Sequence, residues 1–201
     1  IPRQDTEILV EEVLKELHDG MRVLDMCTGS GCILLSLLHY SNDCEGLGVD
    51  LSAEALAVAG RNVLKVLTPE KAEHAHFLQS DLFEKVEGKF EIIVSNPPYI
   101  ASAEVEKLMP EVRDHEPRMA LDGTEDGLYF YRRIIEEAGK HLVSSGMLFF
   151  EIGYDQGQAV SELMRTEGYC EVQVVQDYAG LDRVVFGTYV TGQPAPFAKS
   201  R

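Results

Sequence analysis

The chain has 201 residues, 45% of them hydrophobic, enough for one sizeable core, and no run of it approaches the roughly 18 apolar residues that a membrane-crossing helix needs. Its 34 acidic against 18 basic residues leave a formal net charge of −16. That balance weighs against unassisted binding of duplex DNA, which needs a basic face, and suits a basic protein partner.

Along the chain the hydrophobic period alternates between helix and strand. Ile8 to Leu17 reads as an amphipathic helix, and Met21-Arg22-Val23-Leu24-Asp25 as a short buried strand. That strand runs into Met26-Cys27-Thr28-Gly29-Ser30-Gly31-Cys32 and then the apolar helical stretch Ile33 to Tyr40. A second strand, Gly46 to Asp50, precedes a helix over Ala53 to Leu67, with Ser52 as its N-cap, Glu54 favourable to its dipole and Pro69 ending it. Ala75 to Gln79 and Phe90 to Ser95 supply two further strands. Ile100 to Asp126 has no strong period, and loops that long in compact domains are functional or disordered. Then come a helix over Gly127 to Leu142, a buried strand at Met147 to Ile152 and a helix over Gln156 to Glu167. Strands Glu171 to Gln176 and Val184 to Val190, with a turn at Ala179 to Asp182, close the pattern. The reading is one α/β domain over residues 1–190, with 191–201 as a tail.

Two stretches carry chemistry. Asn96-Pro97-Pro98-Tyr99 suits methylation of a planar, amide-like nitrogen, whose delocalised lone pair makes it a poor nucleophile. A site for such a nitrogen must hold its N–H groups with acceptors and aim it at an electrophile. Asn96 Oδ1 and the Pro97 carbonyl are candidate acceptors; Pro97 and Pro98 stiffen the turn and remove two donors, and Tyr99 offers a face for stacking. Asn and Pro are also ordinary turn residues, so a plain turn is the competing reading.

The other stretch is the strand, glycine loop and helix from Met21 to Tyr40. Gly29 and Gly31 let the backbone approach a ligand, and the helix start presents free N–H groups. Asp50 ends the next strand about 20 residues beyond the loop, where a carboxylate accepts from ribose hydroxyls. Strand, loop, helix, strand and acid in that order indicate an adenosine-containing cofactor, with NAD still open at this point. Asp25, Cys27, Thr28, Gly29, Ser30, Gly31 and Asp50 are the candidate holders. Asp81 is placed to accept from an adenine amino group, with helix capping as its competing role, and Leu82 to cover the ring.

The four cysteines, Cys27, Cys32, Cys44 and Cys170, show no Cys-x-x-Cys pairing, so reduced, packed thiols are expected and zinc is not. Arg113, Asp114, His115, Glu116 and Arg118 are expected to form a polar knot at a wall of the substrate pocket. His115 reads as a structural histidine, with a general-base role as the alternative.

With Pro2-Arg3-Gln4-Asp5-Thr6-Glu7, Asp25 to Gly31, Val49-Asp50, Ser80-Asp81-Leu82-Phe83 and Asn96 to Ile100, the chain resembles the HemK/PrmC family, which methylates the glutamine of peptide-chain release factors. Further matches lie in Glu111 to Arg118, Leu121-Asp122-Gly123, Glu125-Asp126-Gly127, Glu151-Ile152-Gly153 and Asp182 to Val185, so that the resemblance runs from Pro2 to about Gly187. It implies a class I S-adenosylmethionine-dependent methyltransferase, with a seven-stranded Rossmann-like sheet, helices on both faces and the last strand inserted antiparallel. It also implies Asn96, Pro97 and Tyr99 as catalytic residues, Asn96 to Tyr99 as the substrate turn, Asn96 again beside the cofactor, and S-adenosyl-L-homocysteine as product. The partner expected is a release factor, with no membrane, no direct nucleic acid, a monomeric state and a cytoplasmic location, or an organellar one if a presequence was removed. The Asn-Pro-Pro-Tyr element is shared with adenine-N6 and cytosine-N4 methyltransferases of DNA or RNA, which are the alternative, and a silent cofactor-binding module is a third reading. Family members usually carry glycine where Cys27 stands, so a negative φ is expected there. The family's N-terminal helical domain is expected to be absent, since the chain opens at the Pro2 to Glu7 segment.

Overall fold

A computed structural model describes residues 4–107, 109 and 117–190. Seven strands form one sheet: β1 (Arg22–Met26), β2 (Glu45–Asp50), β3 (Ala75–Gln79), β4 (Phe90–Ser95), β5 (Leu142–Glu151), β6 (Tyr169–Gln176) and β7 (Asp182–Tyr189). Their order is β3-β2-β1-β4-β5-β7-β6. All neighbours run parallel except β7, which is antiparallel to both β5 and β6. The helices are α1 (Gln4–Glu16), α2 (Cys32–Tyr40), α3 (Ala53–Val66), α4 (Pro69–Ala72), α5 (Ser102–Val105), α6 (Tyr129–Ala138) and α7 (Gly157–Thr166).

Successive strand residues point to opposite faces, and both faces here are apolar, as a sheet covered on both sides requires. Leu24, Ile93, Leu148 and Phe150 pack with Tyr131, Ile134 and Ile135 of α6 and Val160 and Met164 of α7. Their neighbours Val23, Ile92, Val94 and Phe149 face the other way, into a second core with Leu9 and Val13 of α1 and Leu34 and Leu37 of α2. The class I architecture expected from the sequence is the one present.

Several boundaries shift for local reasons. The helix expected over Gly127 to Leu142 is shorter, because Gly139 caps it and Leu142 already pairs with Phe90 as part of β5. Ser52 caps α3 as expected, its hydroxyl accepting from Ala55 N at 3.2 Å. Pro69 does more than end that helix: it opens α4, where its missing N–H costs nothing. The long segment after Tyr99 is tied back by a bridge between Ile100 and Asp122 and carries a 3₁₀ turn at Arg118–Ala120. Glu111 to Glu116, with the expected knot members Arg113, Asp114, His115 and Glu116, lie outside the described residues, as do Pro2, Arg3 and the tail 191–201.

The strand order reverses between β1 and β4, which makes their carboxyl ends the natural ligand crevice. Met26 and Ser95 are register partners on these strands, so the glycine loop and the Asn96 turn leave the sheet side by side. Ser95 Oγ donates to Met26 O at 2.6 Å and locks the two strand ends together.

Candidate active site

A cleft of about 670 Å³ opens at these strand ends, within the size range of small-molecule sites. Cys27, Gly29, Asp50, Asp81, Leu82, Asn96 and Pro98 line it, which brings both sequence stretches to one cavity. Its far wall is the returning loop, with Arg118, Met119, Asp122 and Thr124, so the described part of the segment after Tyr99 lines the cleft. Of the expected polar knot, Arg118 is described, and it pairs with Glu106 and Asp122 at 2.8 and 3.3 Å.

The glycine loop is held by the two predicted acids. Asp50 Oδ2 accepts from Gly29 N and its Oδ1 from Ser52 N, both at 2.8 Å. A carboxylate oxygen has two acceptor directions, so Asp50 keeps capacity for a ligand while fixing the loop. Asp25 lies beneath the loop, wholly buried and off the cleft wall. Its Oδ2 accepts from Thr28 Oγ1 at 2.6 Å and Leu34 N at 3.3 Å, while buried Oδ1 has no partner among the described residues. Burial pushes its pKa from 3.8 up to about 7. Thr28, Ser30 and Gly31 are not among the residues that line the cleft: Ser30 O accepts from Asn62 Nδ2 at 3.0 Å, and Gly31, with φ +78°, leads the chain into α2.

Cys27 corrects the expected geometry. Its φ is +62°, not negative, so this non-glycine residue takes the left-handed conformation its usual glycine would take. The reason is its setting: before it Met26 O accepts from Ser95 Oγ, and after it Thr28 N donates to Val49 O at 2.9 Å and Gly29 N to Asp50, so contacts on both sides dictate the turn. Burial, with the nearby Asp50 and Asp25 carboxylates, pushes its thiol up to about 12, which keeps it protonated at neutral pH while it lies partly buried against the core.

Asp81 lines the cleft, but sequence reasoning missed its partner: Arg133 Nη1 of α6 donates to its Oδ1 at 2.9 Å. Leu82 adopts φ +45° to place its side chain in the wall. Phe130 contributes an unpredicted aromatic wall, and no local signal marks it, since an aromatic on an amphipathic helix reads first as core. Pro97 is buried, and Tyr99 is half-buried against the core beneath the turn. The motif segments around the sheet also meet: Thr6 Oγ1 donates to the buried Glu151 Oε2 at 2.7 Å, and Arg183 Nη1 to Ile152 O at 3.3 Å.

Residues 4–112 match the family described as Methyltransferase small domain. A release factor glutamine methyltransferase of Thermodesulfovibrio yellowstonii is 44% identical over 190 residues, which cover 92% of this chain and 67% of the relative. The chain belongs to the release factor glutamine methyltransferase family. A second member, from Clostridium acetobutylicum, is 46% identical over 189 residues, covering 92% of this chain and 66% of its own length. The crystal structure of a protein-(glutamine-N5) methyltransferase (release factor-specific) from Alicyclobacillus acidocaldarius superposes with a TM-score of 0.56 at 30% identity, covering 94% of each chain. This family member spans about two thirds or less of the length of the curated relatives it matches, down to 52% for one of them.

Proposed function

We propose that the chain transfers the methyl group of S-adenosyl-L-methionine to the side-chain amide nitrogen of a glutamine in a peptide-chain release factor. One observation carries this reading: the Asn96 turn and the glycine loop, leaving register-paired strands, open onto a single cleft. The residues present fit the donor. Asp50 offers acceptor capacity for ribose hydroxyls, Asp81 Oδ2 is free of protein donors among the described residues, and Leu51, Leu82 and Phe130 supply apolar wall for the purine. Around Gly29 a Cβ would meet nothing within 4 Å, so the backbone there has room for a ligand against it.

S-adenosyl-L-methionine, as co-substrate, brings an electrophilic sulfonium methyl and leaves as the thioether S-adenosyl-L-homocysteine. The protein supplies position. Asn96 Oδ1 and the Pro97 carbonyl accept the two amide N–H groups and aim the nitrogen lone pair along the in-line path. As the N–CH₃ bond forms, positive charge develops on nitrogen and the amide proton departs to solvent, so no strong general base is required. Tyr99 supports the acceptor from beneath. Residues 1–190 serve as the catalytic unit with 191–201 as a tail, and the enzyme acts as a monomer in the cytoplasm. No helix of the described residues is long and apolar enough to cross a membrane.

The identity to release factor enzymes weighs against the nucleic-acid alternative. The test is methyl transfer from labelled donor to a purified release factor and to its Gln→Ala variant. Label on the first and none on the second is the expected result; equal labelling of both, or of neither, refutes the assignment.

A further inference from the structure

We infer that Gln156 is the positioning residue of the acceptor turn, on the reading of Asn96 to Tyr99 as the turn that holds the glutamine amide. Gln156 stands at the N-cap of α7, yet its side chain makes no capping bond. It reaches across the sheet end instead. Its Nε2 donates to Tyr99 O at 3.0 Å and lies 3.4 Å from Gly127 O, while its Oε1 accepts from Gly153 N at 3.0 Å. Tyr131 Oη, which donates to Glu151 O at 2.9 Å, stands 3.4 Å from the same Oε1. Two carbonyls on one side and an N–H on the other allow only one orientation of the amide. One side chain thus joins the turn after β4, the approach to α6 and the turn after β5.

The turn needs such a donor because Pro97 and Pro98 have no N–H with which to anchor it. Its other side is closed by glycine. A Cβ on Gly123 would stand 2.8 Å from Tyr99 Cα and 2.9 Å from Pro98 O, and one on Gly127, at φ +72°, would run into Tyr99 O. The Tyr99 peptide is therefore boxed between two glycine backbones and the Gln156 amide, and Asn96 and the Pro97 carbonyl inherit their direction from it. A displacement on the order of 1 Å at a reacting group costs about 100-fold in rate, so this contact acts on the chemical step more than on binding.

The experiment compares the wild-type chain with Gln156→Glu and Gly127→Ala for methyl transfer to a release factor, with urea denaturation and calorimetric donor binding in parallel. Gln156→Glu keeps the acceptor for Gly153 N but sets a carboxylate against two carbonyls. The expected result is a fall in kcat per folded molecule of about 100-fold, with the donor Kd and the KM for release factor within about three-fold of wild type. Gly127→Ala pushes on the same carbonyl and is expected to lower kcat likewise, and the double variant to lose less than the product of the two, because both act through one group. A Gln156→Glu kcat within about three-fold of wild type overturns the inference, as does a kcat loss matched by the loss in donor affinity. A wild-type chain that labels no release factor overturns the reading of the site itself, and this inference with it.

Discussion

Replacing Asp25 by asparagine tests how the loop is supported. Asp25 is wholly buried, and its pKa is raised from 3.8 to about 7, first by burial and further by the nearby Asp50 carboxylate, against the lowering effect of Thr28 and Leu34 N. Because the folded-state pKa lies above the unfolded one, the folded chain binds the proton that the unfolded chain has released. The stability linked to Asp25 is therefore complete below about pH 4 and is lost as pH rises through about 7. The slope is about 1.4 kcal/mol per pH unit, so between about pH 5 and about pH 8 the wild type should lose on the order of 3 kcal/mol from this residue alone. An asparagine keeps one oxygen to accept from Thr28 and Leu34 and places a neutral NH₂ where Oδ1 now lacks a partner, and it cannot titrate. Urea denaturation of both proteins across that range should show the variant gaining on the wild type by that amount, since other titrating groups cancel in the difference. Curves that stay parallel from about pH 5 to about pH 8 would refute a neutral Asp25 at low pH.

Asn96→Ala should lower kcat for methyl transfer by about 100-fold or more while the donor Kd, measured by calorimetry, stays within a few fold; a Kd loss as large as the rate loss would show that Asn96 holds the donor instead. Asp50→Ala should weaken donor binding by roughly 1.5–3 kcal/mol, about 10- to 150-fold in Kd, because a charged acceptor is lost. An unchanged Kd would reduce Asp50 to a brace for Gly29 and Ser52. Arg133→Met should weaken donor binding by at most about five-fold, and more at low salt than at high salt, because the pair with Asp81 is partly exposed and such pairs contribute up to about 1 kcal/mol. A salt-independent effect would show that Arg133 acts through packing.

Most of the fold was legible because it rests on period and order. Strands such as Ala75–Gln79 and Phe90–Ser95 fall where the sequence places them, and the alternation of helix and strand leaves few topologies for a doubly wound sheet. The cleft was legible in part: the acids at strand ends and the turn after β4 announce themselves by position. What stayed hidden were contacts between distant segments, such as Arg133 with Asp81, Thr6 with Glu151 and Gln156 with Tyr99, which no local pattern encodes. The backbone conformation at Cys27 was misread for the opposite reason, because local preference was followed where tertiary contacts override it. Leu82 and Thr124, like Cys27, hold a positive φ, and all three line the cleft. Each such residue costs on the order of 1–3 kcal/mol and persists only where its surroundings over-determine it. Asp43, Ser145 and Glu171 also hold a positive φ but do not line the cleft, so such a conformation marks a place where tertiary contacts override local preference and not a site by itself; the three in the wall matter because the contacts that over-determine them hold that part of the cleft in shape before any ligand arrives.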